Sequence, residues 1–153
     1  MRARSILTGA VVALALGAAG AALAADMAGV IHDRQTHYKA IGAASKGISE
    51  ELNKPAPDVA AIQGYARALD QLAPQIPSWF PVGSGPEAGV KTLAKAEIWT
   101  QGAAFASAAQ GFATAARHFD VTAAGGDVGA IRVEYPTLAK ACGTCHSQFR
   151  AKE

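Results

Sequence analysis

Residues 128–149 read VGAIRVEYPTLAKACGTCHSQF. Their apolar side chains recur at spacings of three and four, at Val128, Ile131, Tyr135, Leu138, Cys142, Cys145 and Phe149. This period predicts an amphipathic helix whose apolar stripe faces a core. Pro136 interrupts the stripe, so we expect either a kink there or a helix that starts only near it.

Three earlier stripes of the same period run from Met27 to Leu52, from Val59 to Ile76 and from Ile98 to Phe119. Polar, Pro-rich or Gly-rich links separate them at residues 53–57, 74–91 and 123–126. Four amphipathic helices joined in this way predict an all-α fold, an antiparallel four-helix bundle. Arg34 is the only charged residue on the first stripe.

Both cysteines of the chain belong to the motif Cys142-Gly-Thr-Cys145-His146, which is the C-x-x-C-H pattern of c-type haem attachment. Positions i, i+3 and i+4 of a helix share one face. Two thiols can therefore bond the haem vinyl groups while His146 reaches the iron. The motif predicts one covalently bound haem c, with His146 as an axial ligand of the iron.

Other roles for the two cysteines stay open at this point. A redox-active C-x-x-C belongs at a helix start near a βαβ pattern, whereas this one lies close to the end of a helical chain. A Cys2His2 zinc site would need His32 and His37, which point about 140° apart on a regular helix. A disulfide between cysteines three positions apart on a helix would be strained and would leave His146 unexplained.

Residues 1–25 have the three parts of a secretory signal: a basic start, an apolar stretch from Ile6 to about Ala19, and small residues before Asp26. We expect cleavage after Ala24 or Ala25, which would deliver residues 26–153 to the periplasm as one bundle domain. An uncleaved membrane anchor is the alternative, since about 20 uncharged residues could span a bilayer.

The charge balance argues against polyanionic partners. The net charge of +2 comes from Arg2 and Arg4 of the signal, and beyond residue 25 the chain has 12 basic and 12 acidic residues. A nucleic-acid binder should carry a clustered basic face, so we expect no nucleic-acid binding. The near-neutral composition also supplies no strongly charged docking face.

These motifs together resemble one known family, the class II c-type cytochromes, or cytochromes c′. The resemblance covers nearly the whole chain after the signal. Its anchors are Arg34-Gln35, Tyr38-Lys39, Gly42, Trp79-Phe80-Pro81, Gly83 to Gly85, Ile98-Trp99, Cys142 to His146 and Phe149-Arg150. It implies an exported four-helix bundle with a single haem attached near the C-terminus.

The resemblance also implies roles for individual residues. Cys142 and Cys145 would form the thioethers, and His146 would be the proximal ligand. Arg34 and Gln35 would approach a haem propionate, which accounts for a charge on a buried stripe, because a buried cation needs a partner.

Phe149 and Arg150 would lie in the proximal surroundings of the haem. Ordinary solvent-facing positions are the alternatives for both Arg34 and Arg150.

Tyr38 decides the subclass that the resemblance implies. Low-spin electron-transfer members place an iron-ligating Met four residues after the arginine, whereas cytochromes c′ place a bulky residue that does not ligate. The only methionine after the signal is Met27, three turns earlier. We therefore expect five-coordinate, high-spin iron beneath a distal pocket of Tyr38, Ile31 and Ile41, with a Tyr38 phenolate or the His37 imidazole as alternative sixth ligands.

The expected function is binding of small diatomic gases, nitric oxide foremost and carbon monoxide as a probe, with one-electron redox chemistry at the same iron. The alternative is a six-coordinate cytochrome that carries electrons between respiratory or photosynthetic partners and docks on them transiently. We do not expect an enzyme, because no distal acid-base pair of the His/Arg kind is evident.

The resemblance further implies a homodimer packed through the first two helices. Close approach there would use small residues, namely Ala43, Ala44, Ala60, Ala61 and Gly64.

Overall fold

The computed structural model describes residues 9–152, with side chains described from residue 26 onward. Its five α-helices are α1 (Gly9–Leu52), α2 (Val59–Leu72), α3 (Glu97–Thr100), α4 (Gly102–Ala124) and α5 (Val128–Phe149). Two 3₁₀-helices, Ala73–Trp79 and Pro86–Ala88, lie in the connection between α2 and α3. The four long helices form the expected all-α, antiparallel four-helix bundle.

The predicted signal peptide falls largely outside this description. Residues 1–8 are not described, and residues 9–25 are described only as part of α1, which continues across the predicted cleavage site. Cleavage after Ala24 or Ala25 stays a prediction. Among the described residues, no helix combines the length and the apolar character needed to cross a membrane.

Aspartates fix the starts of α2 and α5. Asp58 Oδ1 accepts a hydrogen bond from the backbone N–H of Ala61 at 3.0 Å. Asp127 Oδ1 accepts from Gly129 at 2.7 Å and from Ala130 at 3.2 Å. Such N-caps satisfy donors that the helix itself leaves unpaired. Because of this cap, α5 begins well before Pro136 and continues through it, so the prediction of a start near Pro136 is wrong.

Most of the core residues lie on the predicted apolar stripes. Ile48, Ile62, Phe119 and Ile131 are completely buried, and Leu69 and Leu138 are nearly so. Burying such side chains contributes about 1.5–3 kcal/mol each to folding. The buried stripes confirm that the helix period was assigned correctly.

The third stripe does not form one helix. Gln101 has φ −121° and ψ 45°, which separates the short α3 from α4. The indole N–H of Trp99 donates to the carbonyls of Phe80 at 3.2 Å and Pro81 at 3.1 Å, and so ties α3 to the preceding loop. A tertiary contact thus competes with continuation of the helix.

The helices do not contact one another equally. α1 packs on α2, α2 on α4 and α4 on α5, whereas α1 and α5 make little direct backbone contact. Toward one end, the hydroxyl of Tyr135 on α5 donates to the carbonyl of Ser45 on α1 at 3.3 Å. A cleft therefore opens between α1 and α5.

Candidate haem site

The cleft between α1 and α5 contains a cavity of about 890 Å³, within the range of cofactor and ligand sites. Residues of α4, among them Phe105 and Phe112, close it from behind. Eight of the residues that the sequence predicts to surround the haem line this cavity: Arg34, Gln35, Tyr38, Cys142, Cys145, His146, Phe149 and Arg150. The structure thus brings together side chains more than a hundred positions apart.

The α5 wall presents the two thiols and the imidazole from a single helical face. Cys142 and Cys145 are half-buried and are not joined by a disulfide. Burial raises the pKa of both thiols. Desolvation, assisted by the nearby Arg150 charge, lowers the pKa of His146. A lowered pKa favours the neutral imidazole, which is the form that coordinates a metal.

The α1 wall presents a buried cation. Arg34 is 3% exposed, which excludes the solvent-exposed alternative. Its guanidinium donates to Ser84 Oγ at 3.0 Å, to the Ser84 carbonyl at 2.9 Å and to Thr92 Oγ1 at 3.0 Å. It also stacks over the ring of Phe80, with Cζ 4.4 Å from the ring centroid.

All of these partners are neutral. Within the described part of the chain, no carboxylate oxygen lies within ion-pair distance of Arg34. Desolvation lowers the pKa of Arg34, although a guanidinium stays charged at physiological pH. A buried cation of this kind is best stabilised by an anion. The α1 wall therefore has the chemistry to receive a carboxylate group in the cavity.

The loop after Pro86–Ala88 joins both walls. The Gln35 amide on α1 donates to the Lys91 carbonyl at 2.9 Å. Two residues on, the Leu93 carbonyl accepts from the N–H of Ala151 at 2.8 Å, and the N–H of Lys95 donates to the Phe149 carbonyl at 3.0 Å. This pairing fixes the end of α5.

Phe149 and Arg150 occupy different environments at that end. The Phe149 ring is 3% exposed and packs edge-on against Phe105, with centroids 5.3 Å apart. Arg150 is exposed at the mouth of the cavity.

Tyr38 and His37 are neighbours in sequence, but their side chains have different surroundings. Tyr38 lines the cavity and packs edge-on against Trp79 and Phe80, at 5.6 and 6.2 Å between centroids. Burial raises its pKa, and the nearby Cys145 thiol adds to the effect. His37 does not line the cavity; it stacks on Trp79 at 4.6 Å. The geometry therefore disfavours His37 as a sixth ligand, whereas Tyr38 lies inside the cavity.

Of the three residues predicted for the distal pocket, Tyr38 and Ile41 line the cavity, whereas the prediction is wrong for Ile31. Ile31 is fully buried but is not among the lining residues. It lies almost one turn before Arg34, the residue nearest the start of α1 that reaches the cavity, so Arg34 ends the cavity on that side.

Comparison with known proteins agrees with this geometry. A family model described as cytochrome c′ matches residues 29–150. A cytochrome c′ from Rhodospirillum rubrum is 31% identical over 131 residues, which cover 85% of this chain and 87% of that protein.

The chain belongs to the cytochrome c′ family.

Two solved structures share its fold. One is a cytochrome c′ with an unusual ligand-controlled dimer dissociation; it has a TM-score of 0.76 and 24% identity, and the match covers 82% of this chain and 97% of that one. The other is the nitric oxide complex of a mutant cytochrome c prime from Alcaligenes xylosoxidans, with a TM-score of 0.71, 22% identity and coverage of 80% and 94%.

A cytochrome c′ carries a single covalently attached c-type haem with iron, and the residues of this cavity fit that group. The cavity places two thiols and an imidazole on one helical face. The buried Arg34 has only neutral acceptors around it, which suits a propionate. In the described residues no cluster of three or more His, Cys, Asp or Glu side chains is placed to hold a metal ion, which argues against the zinc alternative with His32 and His37.

Sequence reasoning did not assign the residues that hold Arg34 in this cytochrome c′. They are Ser84, which is fully buried, Thr92, and the aromatic ring of Phe80. The position of Arg34 on an apolar stripe does indicate that some residues must accept hydrogen bonds from it, because a buried cation requires acceptors. The sequence does not indicate which loop residues supply them.

The small residues proposed for a dimer contact differ in their exposure to solvent. Ala44 is 4% exposed and belongs to the core of its own chain, so its place in the predicted dimer contact is wrong. Ala43, Ala60 and Gly64 are exposed, and Ala61 is half-buried. Close approach of α1 and α2 within one chain is instead provided by Gly47, where a Cβ would overlap the ring of Tyr65.

Proposed function

We propose that this cytochrome c′ is a periplasmic protein with five-coordinate, high-spin haem that binds nitric oxide and carbon monoxide and undergoes one-electron redox change. A binding and redox role, rather than catalysis, is part of the proposal. The observation that carries it is the α1 wall of the cavity, where Tyr38 stands at the position that would otherwise supply a ligand. Burial raises the pKa of its phenol, which favours the protonated form, a weaker ligand than the phenolate.

The site residues have separate tasks in this proposal. Cys142 and Cys145 would form the two thioethers, and His146 would be the axial ligand. Arg34 and Gln35, on the facing helix, would receive a propionate. Together these contacts would fix the haem in one orientation between α1 and α5.

When bound, the haem supplies an iron that takes up a diatomic ligand and changes its charge by one electron. The chain supplies the surroundings. Ile41, Phe80, Phe105 and Phe112 give the cavity apolar walls, which exclude water and favour a small uncharged ligand. Nitric oxide is the ligand in the related Alcaligenes xylosoxidans structure, and this chain presents a similar fold around its cavity.

The test is an absorption spectrum of the protein made in cells that attach c-type haem, recorded ferric, then reduced, then under carbon monoxide. We expect a broad high-spin Soret band that sharpens with carbon monoxide, followed by a similar response to nitric oxide. The double variant Cys142→Ser with Cys145→Ser should lose covalent haem on a denaturing gel. Gly143→Ala is the matched control, since a Cβ there meets nothing within 4 Å.

Two outcomes would contradict the proposal. A wild-type preparation without covalent haem would refute the assignment of the site. Sharp low-spin bands that do not respond to carbon monoxide would mean that a sixth ligand closes the iron, and electron transfer would become the function.

The proposal includes a homodimer through α1 and α2. Its support is the exposed small residues Ala43, Ala60 and Gly64 and the dimer of the related cytochrome c′. Sedimentation of the holoprotein with and without carbon monoxide tests it. Replacing Ala60 with Glu should shift the protein to monomer, and a monomer at all concentrations of the wild-type protein would refute it.

A further inference from the structure

The mouth of the haem cavity is positively charged although the chain is balanced overall. Five cations line the cavity: Arg34, Lys39, Lys46, Lys91 and Arg150. No described Asp or Glu lines it, while 12 acidic residues offset 12 basic ones beyond residue 25. The fold therefore gathers positive charge around the cavity, although acidic and basic residues are equal in number.

Three elements bring these cations together. On α1, Lys39 and Lys46 are seven residues apart, so they share one face of the helix beside the cleft. The hydrogen bond from Gln35 to the Lys91 carbonyl holds the loop lysine against α1. Backbone pairing of Ala94 with Arg150 brings the end of α5 to the same rim. We define the cationic mouth as Lys39, Lys46, Lys91 and Arg150, which are all exposed.

Neighbouring anions offset only part of this charge. Lys46 Nζ lies 3.4 Å from Glu50 Oε1, but the two side chains are 76% and 62% exposed, and exposed pairs of this kind contribute little. The haem propionates bring further negative charge, and the buried Arg34 is the cation best placed to neutralise it. Among the described residues, no carboxylate lies within ion-pair distance of Lys39 or Lys91, so the lysines alone leave the mouth positively charged.

We propose that the cationic mouth is the docking surface for the acidic face of a redox protein. The inference rests on the proposed one-electron function. Electron exchange requires the partner to approach the haem closely, and the mouth is where the cavity meets solvent. Complementary charge around such a mouth raises the association rate and orients a transient partner. The surface, rather than the net charge of the chain, selects the partner.

A protein fits this surface better than an anionic membrane. The cations surround a concave opening contributed by α1, the loop and α5. Large exposed apolar side chains that could enter a bilayer are found at Val82, Val121 and Val133, and none of them lines the cavity. A flat lipid surface would therefore meet charge without an apolar anchor beside it.

The test measures the second-order rate at which reduced flavodoxin, an acidic FMN protein, reduces the ferric holoprotein; the donor loses one electron and the iron gains it. For the wild-type protein we expect the rate to fall about tenfold between roughly 10 and 500 mM salt, because screening removes the attraction. The double variant Lys39→Glu with Lys91→Glu should react at least tenfold more slowly at low salt, with the salt dependence abolished or reversed.

The matched control reverses two exposed cations outside the mouth, Arg67→Glu with Lys140→Glu, which changes the net charge by the same amount. It should stay within about twofold of wild type. Equal slowing of both double variants would overturn the proposal, because overall charge would then be responsible. A wild-type rate independent of salt would also overturn it. If Lys39→Glu with Lys91→Glu takes up no haem, the neutral pair Lys39→Gln with Lys91→Gln is compared in the same way.

A neutral small reductant, photoreduced lumiflavin, separates this inference from the proposed function. If it reduces all variants equally and flavodoxin shows no preference, the docking surface is refuted while the redox function stands. If nothing reduces the haem, the proposed function fails. Sedimentation with phosphatidylcholine vesicles containing phosphatidylserine tests the membrane: binding that the mouth variant loses, without a change in the flavodoxin rate, would overturn docking of a protein.

Discussion

Two helix–helix interfaces of this bundle differ: one is closed and the other opens into a cavity. Between α2 and α4 the stripes meet as a closed seam, in which Ile62, Ala66, Leu69, Ala116 and Phe119 are no more than 1% exposed. Between α1 and α5 they form an open seam, in which Tyr38, Cys142 and Cys145 are half-buried and His146 is exposed. Both interfaces are built from stripes with the same spacing of three and four.

The difference shows that period alone does not decide whether a stripe becomes core. The closed seam alternates large and small apolar side chains, which interdigitate without gaps. The open seam contains a buried cation, two thiols and an imidazole, and the helices that carry them leave a cavity of about 890 Å³ between them. The same apolar spacing of three and four thus builds both the closed seam and the open one. The chemistry of the side chains on each stripe decides which of the two forms.

The largest effect is expected from opening the closed seam. Phe119→Ala removes a fully buried ring and should lower the free energy of unfolding of the holoprotein by about 3–5 kcal/mol, measured by urea unfolding. The gas-binding spectrum should be unchanged below the transition. Val121→Ala, two residues on and 60% exposed, is the control and should change stability by about 0.5 kcal/mol or less. Equal losses of unfolding free energy in the two variants would show that the closed seam does not stabilise the bundle more than the exposed surface does.

A smaller effect is expected from removing the cation of the open seam. Arg34→Met leaves the acceptors of Ser84 and Thr92 without their donor and should cost about 2–3 kcal/mol. Loss of positive charge near the iron should also favour the ferric state and lower the reduction potential.

Arg34→Lys, which keeps the charge but loses the fork of donors, is the control for the potential. Spectroelectrochemical titration of both variants checks the direction. An unchanged potential in Arg34→Met would argue against a propionate partner.

Much of the fold was predictable because helical period and N-caps are local. The break between α3 and α4 was not predictable, because it accompanies hydrogen bonds from the Trp99 indole to the carbonyls of Phe80 and Pro81. Such a contact has no signature in the residues around Gln101.

Some residues of the candidate site were also predictable from local sequence, and others were not. The C-x-x-C-H motif is confined to five residues, and Arg34 was conspicuous as a charge on an apolar stripe. Its partners Ser84 and Thr92 lie 50 and 58 positions away in a loop, where no period constrains them. The charge of the cavity mouth was hidden for the same reason, since only the fold brings Lys91 and Arg150 beside α1.

The smallest effect concerns the phenol in the open seam. Its pKa is raised above the usual value of about 10, so the native state holds the proton more tightly than the unfolded chain does. The contribution of Tyr38 to stability is therefore complete below pH 10 and declines as the pH rises beyond it. Between pH 6 and pH 10 the ferric spectra of wild type and Tyr38→Phe should coincide. Tyr65→Phe is the control outside the cavity. An absorption band of the wild type that appears as the pH rises within that range, and that is missing only from Tyr38→Phe, would identify a phenolate ligand. Tyr38 would then close the open seam at the iron.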